Sequence, residues 1–267
     1  MKLVIQIPCL NEADTLPQTL ADLPRSVAGF DCVELLVIDD GSTDDTARIA
    51  IEHGATRVVR HKYNQGLAAS FQTGMETALH MGADVIVNTD GDNQYCGADV
   101  PYLVQPIVDG RADIVIGDRQ VNRKRQFGPV KTWLQGLGSA VVSSLAGAEI
   151  ADAVSGFRAL SREAALRLTI LSRFSYTTEM IIQAGNKRLK HESVPVRTNT
   201  GTRSPRLFKS TPWFIALQAT TMIRMYAMYR PMRFFFILGA VVSAIGLLPV
   251  LRFLYFYVVD SGAGHVQ

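Results

Sequence analysis

The chain has 267 residues, enough for one large core or for one domain with an appendage. With 48% hydrophobic and 19% charged residues it has the composition of a folded protein, which excludes a fibrous or disordered chain. Cys9, Cys32 and Cys96 form no C-x-x-C pair and are too scattered for a disulfide framework, so a reduced, cytosolic environment is expected. The net charge of +3 is small but unevenly placed. Arg197, Arg203, Arg206, Lys209, Arg224, Arg230 and Arg233 follow one another with no acid between them, which suits an anionic partner such as a phosphate, a lipid headgroup or nucleic acid.

Met1 leads straight into an apolar run without a signal-peptide pattern. Strands are predicted at "LVIQIP" (3–8), "VELLVIDD" (33–40), "TRVVRH" (56–61), "ADVIVNTD" (83–90) and "ADIVIGDR" (112–119). Their nearly unbroken Val, Ile and Leu content suits a parallel sheet buried on both faces. Helices are predicted over Glu12–Leu23, Thr43–His53, Leu67–Met81 and Val100–Asp109, the second opened by "STDD" at 42–45 as a capping signal. The alternation predicts a doubly wound α/β domain.

Ligands of such sheets bind beyond the carboxyl ends of the strands. Polar groups gather there: Asn11 and Glu12 after the first strand, Asp39-Asp40-Gly41 after the second, Asp90-Gly91-Asp92 after the fourth, and Asp118-Arg119 after the fifth. One acidic loop is an ordinary turn, whereas several on one edge suggest a site. No G-x-G-x-x-G follows the first strand and no P-loop pattern occurs, so neither a dinucleotide nor a P-loop site is supported. Asp90 and Asp92, with Gln94 close by, are hard oxygen donors suited to Mg2+ or Mn2+ bound together with substrate phosphates. That chemistry points to transfer from a nucleotide-linked donor whose departing diphosphate needs its charge neutralised.

From residue 211 the character changes. "TPWFIALQATTMIRMYAMY" mixes Trp, Phe, Met and Tyr with few charges, and reads as a core helix or as a helix at a membrane surface. "FFFILGAVVSAIGLLPVL" (234–251) is uncharged, and after Arg252 the apolar character continues to Val259, so a transmembrane helix is expected over 233–259. Arg224, Arg230 and Arg233 before it place the preceding domain on the cytoplasmic side by the positive-inside rule.

Taken in order, "IPCLNEADTL" (7–16), "VIDDGSTDDT" (37–46), "YNQGLAASFQTGM" (63–75), "TDGDNQ" (89–94), "GDR" (117–119), "DAVSGFRALSR" (152–162), "YTTEM" (176–180) and "TRSPRLFKS" (202–210) resemble the family 2 glycosyltransferases of the GT-A fold, close to the dolichol-phosphate mannose synthase-like polyprenyl-phosphate glycosyltransferases. The resemblance implies a GT-A domain over 1–209 (a Rossmann-like, mostly parallel sheet flanked by helices), a juxtamembrane amphipathic helix over 210–232 and the membrane helix. Relatives usually carry two or more spans, so the chain is expected to be a truncated form.

The resemblance also implies residue roles. Pro8, Leu10, Asn11, Glu12, Asp39, Asn64 and Gly66 would line the donor pocket with Asp90, Gly91 and Asp92; a plain helix-start loop is the other reading of Asn64 and Gly66. Asp92 and Gln94, with Asp90, would hold the metal. Arg119, Arg125, Ser139, Arg203 and Arg206 would take the acceptor phosphate, or Arg119 a donor phosphate, although a solvated basic loop also accounts for Arg203 and Arg206. Asp152 and Glu179 are candidates for a base or for orienting the arginines, against a helix-capping or salt-bridge role. Close relatives are expected to carry an arginine shortly before Ser139, where this chain has Gly136; Arg123, Lys124 and Arg125 lie upstream.

The expected reaction is inverting transfer of a sugar from a UDP- or GDP-linked donor to an undecaprenyl or dolichyl phosphate at the cytoplasmic face of the cell (inner) membrane; the sequence leaves open whether the protein is a homo-oligomer. A phosphate monoester is already ionised near neutral pH, so positioning two anions together matters more than a strong base. Transfer to a sugar hydroxyl in a glycolipid or exopolysaccharide, and a non-catalytic nucleotide-sugar sensor at the membrane, are the alternatives. No nucleic-acid-binding motif appears, and the Trp, Phe and Met neighbours of the basic stretch suit lipid better.

Overall fold

The computed structural model describes residues 1–120, 152–171, 176–199 and 211–259. They divide between two compact units, Met1–Met222 and Ile223–Gln267.

The first unit is built on a seven-stranded sheet. Its strands are β1 (Lys2–Cys9), β2 (Cys32–Asp39), β3 (Arg57–Arg60), β4 (Val85–Asn88), β5 (Ile114–Asp118), β6 (Arg158–Ser161) and β7 (His191–Pro195). They lie in the order β3-β2-β1-β4-β6-β5-β7. All run parallel except β6, which is antiparallel to both β4 and β5. The carboxyl ends of β1 to β5 therefore share one edge, and the segment that enters β6 arrives at that same edge.

Around the sheet lie α1 (Leu16–Asp22), α2 (Thr46–Glu52), α3 (Leu67–His80), α4 (Val100–Val108), α5 (Arg162–Arg167) and α6 (Tyr176–Asn186), with a short 3-10 turn at Gly97–Asp99. Side chains alternate across β1: Val4 joins one buried cluster with Leu36, Ile86, Phe71 and Met180, while Leu3, Ile5 and Ile7 join the other with Leu20, Val85 and Leu103. Burial on both faces is why these strands read as continuous apolar runs. In α3, Phe71, Gly74, Met75 and Ala78 are buried at helical spacing and face the sheet.

The five predicted strands and four predicted helices are all present; β1 is one residue longer at each end, β2 is shifted by one, and the others are shorter. Helix α1 begins at Leu16 rather than Glu12, with Pro17 in its first turn. Helix α2 begins at Thr46 rather than Thr43. Its cap residue Asp45 makes no side-chain cap bond, because the "STDD" segment is used differently: the Thr43 amide donates to Asn11 Oδ1, and Asp44 accepts from the amides of Ala13 and Thr46. That segment crosslinks two loops instead of capping a helix. Strands β6 and β7 and helices α5 and α6 lack the long apolar runs that marked the rest.

Helix α7 spans Thr211–Tyr229 and helix α8 spans Pro231–Val259. Helix α8 has 29 residues, none of them buried; its most apolar 18-residue stretch has a mean hydropathy of 2.5, and the helix is long and apolar enough to cross a membrane. At 1.5 Å per residue it is about 44 Å long, against a hydrocarbon core of about 30 Å.

Candidate active site

The β1 and β2 loops are tied together first. The Asn11 amide donates to Ser42 Oγ (2.9 Å) and the Glu12 amide to Thr46 Oγ1 (2.9 Å). Asn11 adopts a left-handed conformation (φ 54°), as do Asn93 after β4 and Gln120 after β5 (φ 55° and 54°). Non-glycine residues in this region are uncommon and gather where a site over-determines the backbone.

The Asp90-Gly91-Asp92 turn packs against these loops. The Gly91 carbonyl accepts from the hydroxyls of Thr15 and Thr19, each at 3.0 Å. A Cβ on Gly91 would lie 2.8 Å from Cys9 Sγ, so no larger residue fits without a shift. Asp92 accepts from the Gln94 amide at 3.1 Å. The far side of the turn is anchored by the segment after β7: the Asn199 amide donates to the Gln94 carbonyl (2.9 Å), and Arg197 pairs with Asp99.

Electrostatics confirm that the acids converge. Burial and then the neighbouring charge of Asp92 push the Asp90 carboxyl up to about 7, with Glu12 adding to the rise and Arg119 and Arg158 opposing it. The buried Cys9 thiol is raised by burial and then by Glu12, Asp39, Asp90 and Asp44, acids from three strand ends. Its thiolate is disfavoured, so Cys9 is a packing residue.

Arg119 is held in a two-pronged ion pair: Nε and an Nη donate to the two oxygens of Asp152 at 2.8 and 3.0 Å. Burial works against both charges, but this pairing outweighs it, so the Arg119 pKa is raised and that of Asp152 lowered. A carboxylate held below its usual range is a poor proton acceptor, and Asp152 has the geometry of a group that orients an arginine.

Several residues at the site lie within the family motifs, but the sequence assigns them no role. Gly156 lies against Asp90 so closely that a Cβ would sit 3.0 Å from both carboxylate oxygens, and its amide donates to Tyr95 Oη at 3.0 Å. Arg158 is wholly buried, donating to the carbonyls of Ala153, Ser155 and Thr177 at 2.7 to 2.8 Å. Burial lowers its pKa to about 10. It thus holds the segment carrying Asp152 and Gly156 onto the first turn of α6. Beneath it, Asn88 donates to Tyr176 Oη and the Gly156 carbonyl, and accepts from Gln6. Gly156 and Arg158 fall within "DAVSGFRALSR" and Tyr176 within "YTTEM", but those motifs do not by themselves assign the three residues a role.

The other sequence-derived candidates fall as follows. Pro8 is buried at the end of β1 and Leu10 is exposed beside it. Asp39 is wholly buried; Oδ1 accepts from the Ser42 amide, while Oδ2 lies 3.0 Å from Arg60 Nε without an aligned hydrogen bond. Asn64 is exposed and Gly66 half-buried in the loop before α3. Glu179 is wholly buried in the first turn of α6, where it accepts from the Leu171 amide at 3.0 Å. Arg125, Gly136, Ser139, Arg203 and Arg206 lie outside the described residues.

The donor set fits a hard divalent cation. Asp90 and Asp92 repel each other, and a cation between them would relieve that repulsion. Among the described residues no group of three or more His, Cys, Asp or Glu could hold a metal by itself. Two carboxylates with the Gln94 amide leave positions open for phosphate oxygens and water, as Mg2+ sites usually do.

The mostly parallel sheet with its acidic edge and braced arginine defines a GT-A type of transferase fold. The fold superimposes with a TM-score of 0.64 on glucosyl-3-phosphoglycerate synthase from Mycobacterium tuberculosis, solved with Mn2+, UDP and glucosyl-3-phosphoglycerate, over 85% of this chain and 80% of that one at 21% identity. A family model for glycosyl transferase family 2 matches residues 4–169, and the chain belongs to that family: it is a glycosyltransferase. It is 27% identical over 216 residues to the UDP-N-acetylglucosamine–dolichyl-phosphate N-acetylglucosaminyltransferase of Methanococcus voltae, covering 72% of this chain and 83% of that protein. It is 29% identical over 165 residues to the undecaprenyl-phosphate mannosyltransferase of Micrococcus luteus, covering 60% and 66%.

Proposed function

We propose that the protein transfers a sugar, with inversion, from a nucleoside-diphosphate sugar to a polyprenyl phosphate. The observation that carries this reading is the state of the carboxylates. Asp152 is committed to Arg119 with a lowered pKa, and Glu179 is wholly buried away from solvent. A sugar hydroxyl needs a base to remove its proton, whereas a phosphate monoester arrives ionised. Two relatives named for transfer to dolichyl and undecaprenyl phosphate support the same acceptor class.

In this reading an acceptor phosphate oxygen attacks the anomeric carbon from the face opposite the leaving group. The bond from that carbon to the diphosphate breaks, and its electron pair leaves with the nucleoside diphosphate. Arg119, braced by Asp152, holds a phosphate; residues of the β1, β2 and β3 loops, Asp39 among them, hold the nucleotide. Asp90, Asp92 and Gln94 would hold Mg2+ or Mn2+, which when bound neutralises charge on the diphosphate. With α8 in the bilayer, the catalytic unit stands at the cytoplasmic face, where Arg224, Arg230 and Arg233 flank the membrane.

The test is incubation of the protein in detergent with Mn2+ or Mg2+, polyprenyl phosphate and labelled UDP- and GDP-sugars, following label into the organic phase. Metal-dependent transfer that Asp92→Ala abolishes is expected. Donor hydrolysis without a lipid product would move the acceptor to a hydroxyl, and nucleotide binding without turnover would leave a sensor.

A further inference from the structure

Buried Asp40 and His61 and half-buried Thr73 form a hydrogen-bonded chain that the transfer chemistry does not use. His61 follows β3, is 8% exposed, and has both ring nitrogens engaged: Nδ1 lies 2.7 Å from Asp40 Oδ1 and Nε2 lies 3.0 Å from Thr73 Oγ1 in α3. A carboxylate only accepts, so Nδ1 carries the proton toward Asp40. Asp40, itself 3% exposed, also accepts from the Gln65 amide through Oδ1 (2.9 Å) and from the Gly66 amide through Oδ2 (2.8 Å). One carboxylate therefore receives the ring and two successive peptide amides. The loop it pins, 62–66, lies at the same edge as the β1 and β2 loops and exposes Asn64 and Tyr63.

We propose that His61 is a positioning residue for donor binding: clamped between Asp40 and Thr73, it fixes the Asn64–Gln65–Gly66 backbone in the shape that receives the nucleotide. This rests on the nucleotide-sugar reading given above. The ring bridges the residue after β2 to α3, and it meets the same Asp40 oxygen that accepts from the Gln65 amide. Without the Nδ1 bond the carboxylate is held only by the two amides of the loop it is meant to fix, and the loop loses its anchor to β2 and α3. A loop held beforehand in its binding shape gains affinity, because the cost of ordering it is not met on binding.

The two edges of the imidazole can be tested separately. Asn reproduces the Nδ1 donor that reaches Asp40, whereas Gln reproduces the Nε2 edge that reaches Thr73. Binding of UDP and of GDP is measured by calorimetry on the full chain in detergent, together with melting temperature and the KM for polyprenyl phosphate. For the nucleotide that wild type binds, His61→Gln is expected to weaken affinity about tenfold and His61→Asn less than about threefold, with similar melting losses and an unchanged acceptor KM. If His61→Gln fails to fold, Thr73→Val frees the ring from the other side, and an affinity loss of about threefold is expected. Equal effects of the Asn and Gln substitutions, no loss with either, or a loss shared by the acceptor KM would overturn the proposal. Absence of nucleotide binding in wild type would instead overturn the donor reading itself.

Discussion

Replacing Asp90 by Asn should stabilise the protein while destroying its activity, and the gain should depend on pH. The folded chain raises this carboxyl from an ordinary 3.8 to about 7, first by burial and then by the charge of Asp92. Folding thus favours the protonated form. The stability this group supplies is complete below about pH 4 and is lost as pH rises to about 7, because the folded chain holds a proton that the unfolded chain has released. At about 1.4 kcal/mol per pH unit, ionisation of Asp90 opposes folding by about 1.6 kcal/mol at about pH 5 and by about 4 kcal/mol at about pH 8. Both are upper values, since Asp90 keeps part of its surface in water. An amide in its place carries no such penalty. Thermal melts of wild type and Asp90→Asn in detergent, without divalent metal, should therefore diverge between these pH values by up to about 2.5 kcal/mol, or about 5–10 °C. Saturating Mn2+ with UDP should raise the wild-type melting point at the higher pH and leave Asp90→Asn nearly unmoved. Melting curves that run parallel from about pH 5 to about pH 8 would refute the reasoning, because Asp90 would then not titrate in that range.

Other consequences follow from the contacts around the site. Gly91→Ala places a methyl 2.8 Å from Cys9 Sγ and should destabilise by about 1–3 kcal/mol; adding Cys9→Ala should recover most of that, which a double-mutant melt would reveal. Asp152→Asn keeps at most one of the two bonds to Arg119 and should slow transfer about 10- to 100-fold without changing the shape of the pH–rate profile; a residual rate that climbs steadily with pH would show that Asp152 is a base after all. Arg158→Met leaves the carbonyls of Ala153, Ser155 and Thr177 without their donor and should lower stability by at least about 3 kcal/mol, seen as a melting loss of about 10 °C.

The parallel half of the sheet was legible because burial on both faces leaves unbroken apolar runs such as Leu35 to Ile38. The carboxyl-edge acids were legible because a parallel sheet puts its loops there. Strand β6 was not, since its four residues include an arginine, and burying Arg158 depends on carbonyls from two other segments that no local pattern announces. Asp44 misled for a related reason. The "STDD" spacing is that of a helix cap, but Asn11 and Ala13 compete for the same groups, and only tertiary contact decides which is served. Asp152 read equally well as a base or a brace until the two bonds to Arg119 were seen. Asp40 and His61 were each plain in the sequence, yet 21 residues separate them and nothing local links the pair.

The reversal of β6 also bears on how such a protein diversifies. The chain leaves the sheet edge at Arg119 and returns to it at Asp152, and those two residues grip each other. Two residues 33 apart in sequence are thereby fixed at one place on the edge. Closing a longer loop adds only about 0.6 kcal/mol per doubling of its length. A change in the number of residues between the pair would therefore cost little in closure entropy, and the strands and acids on either side of the ion pair would keep their places.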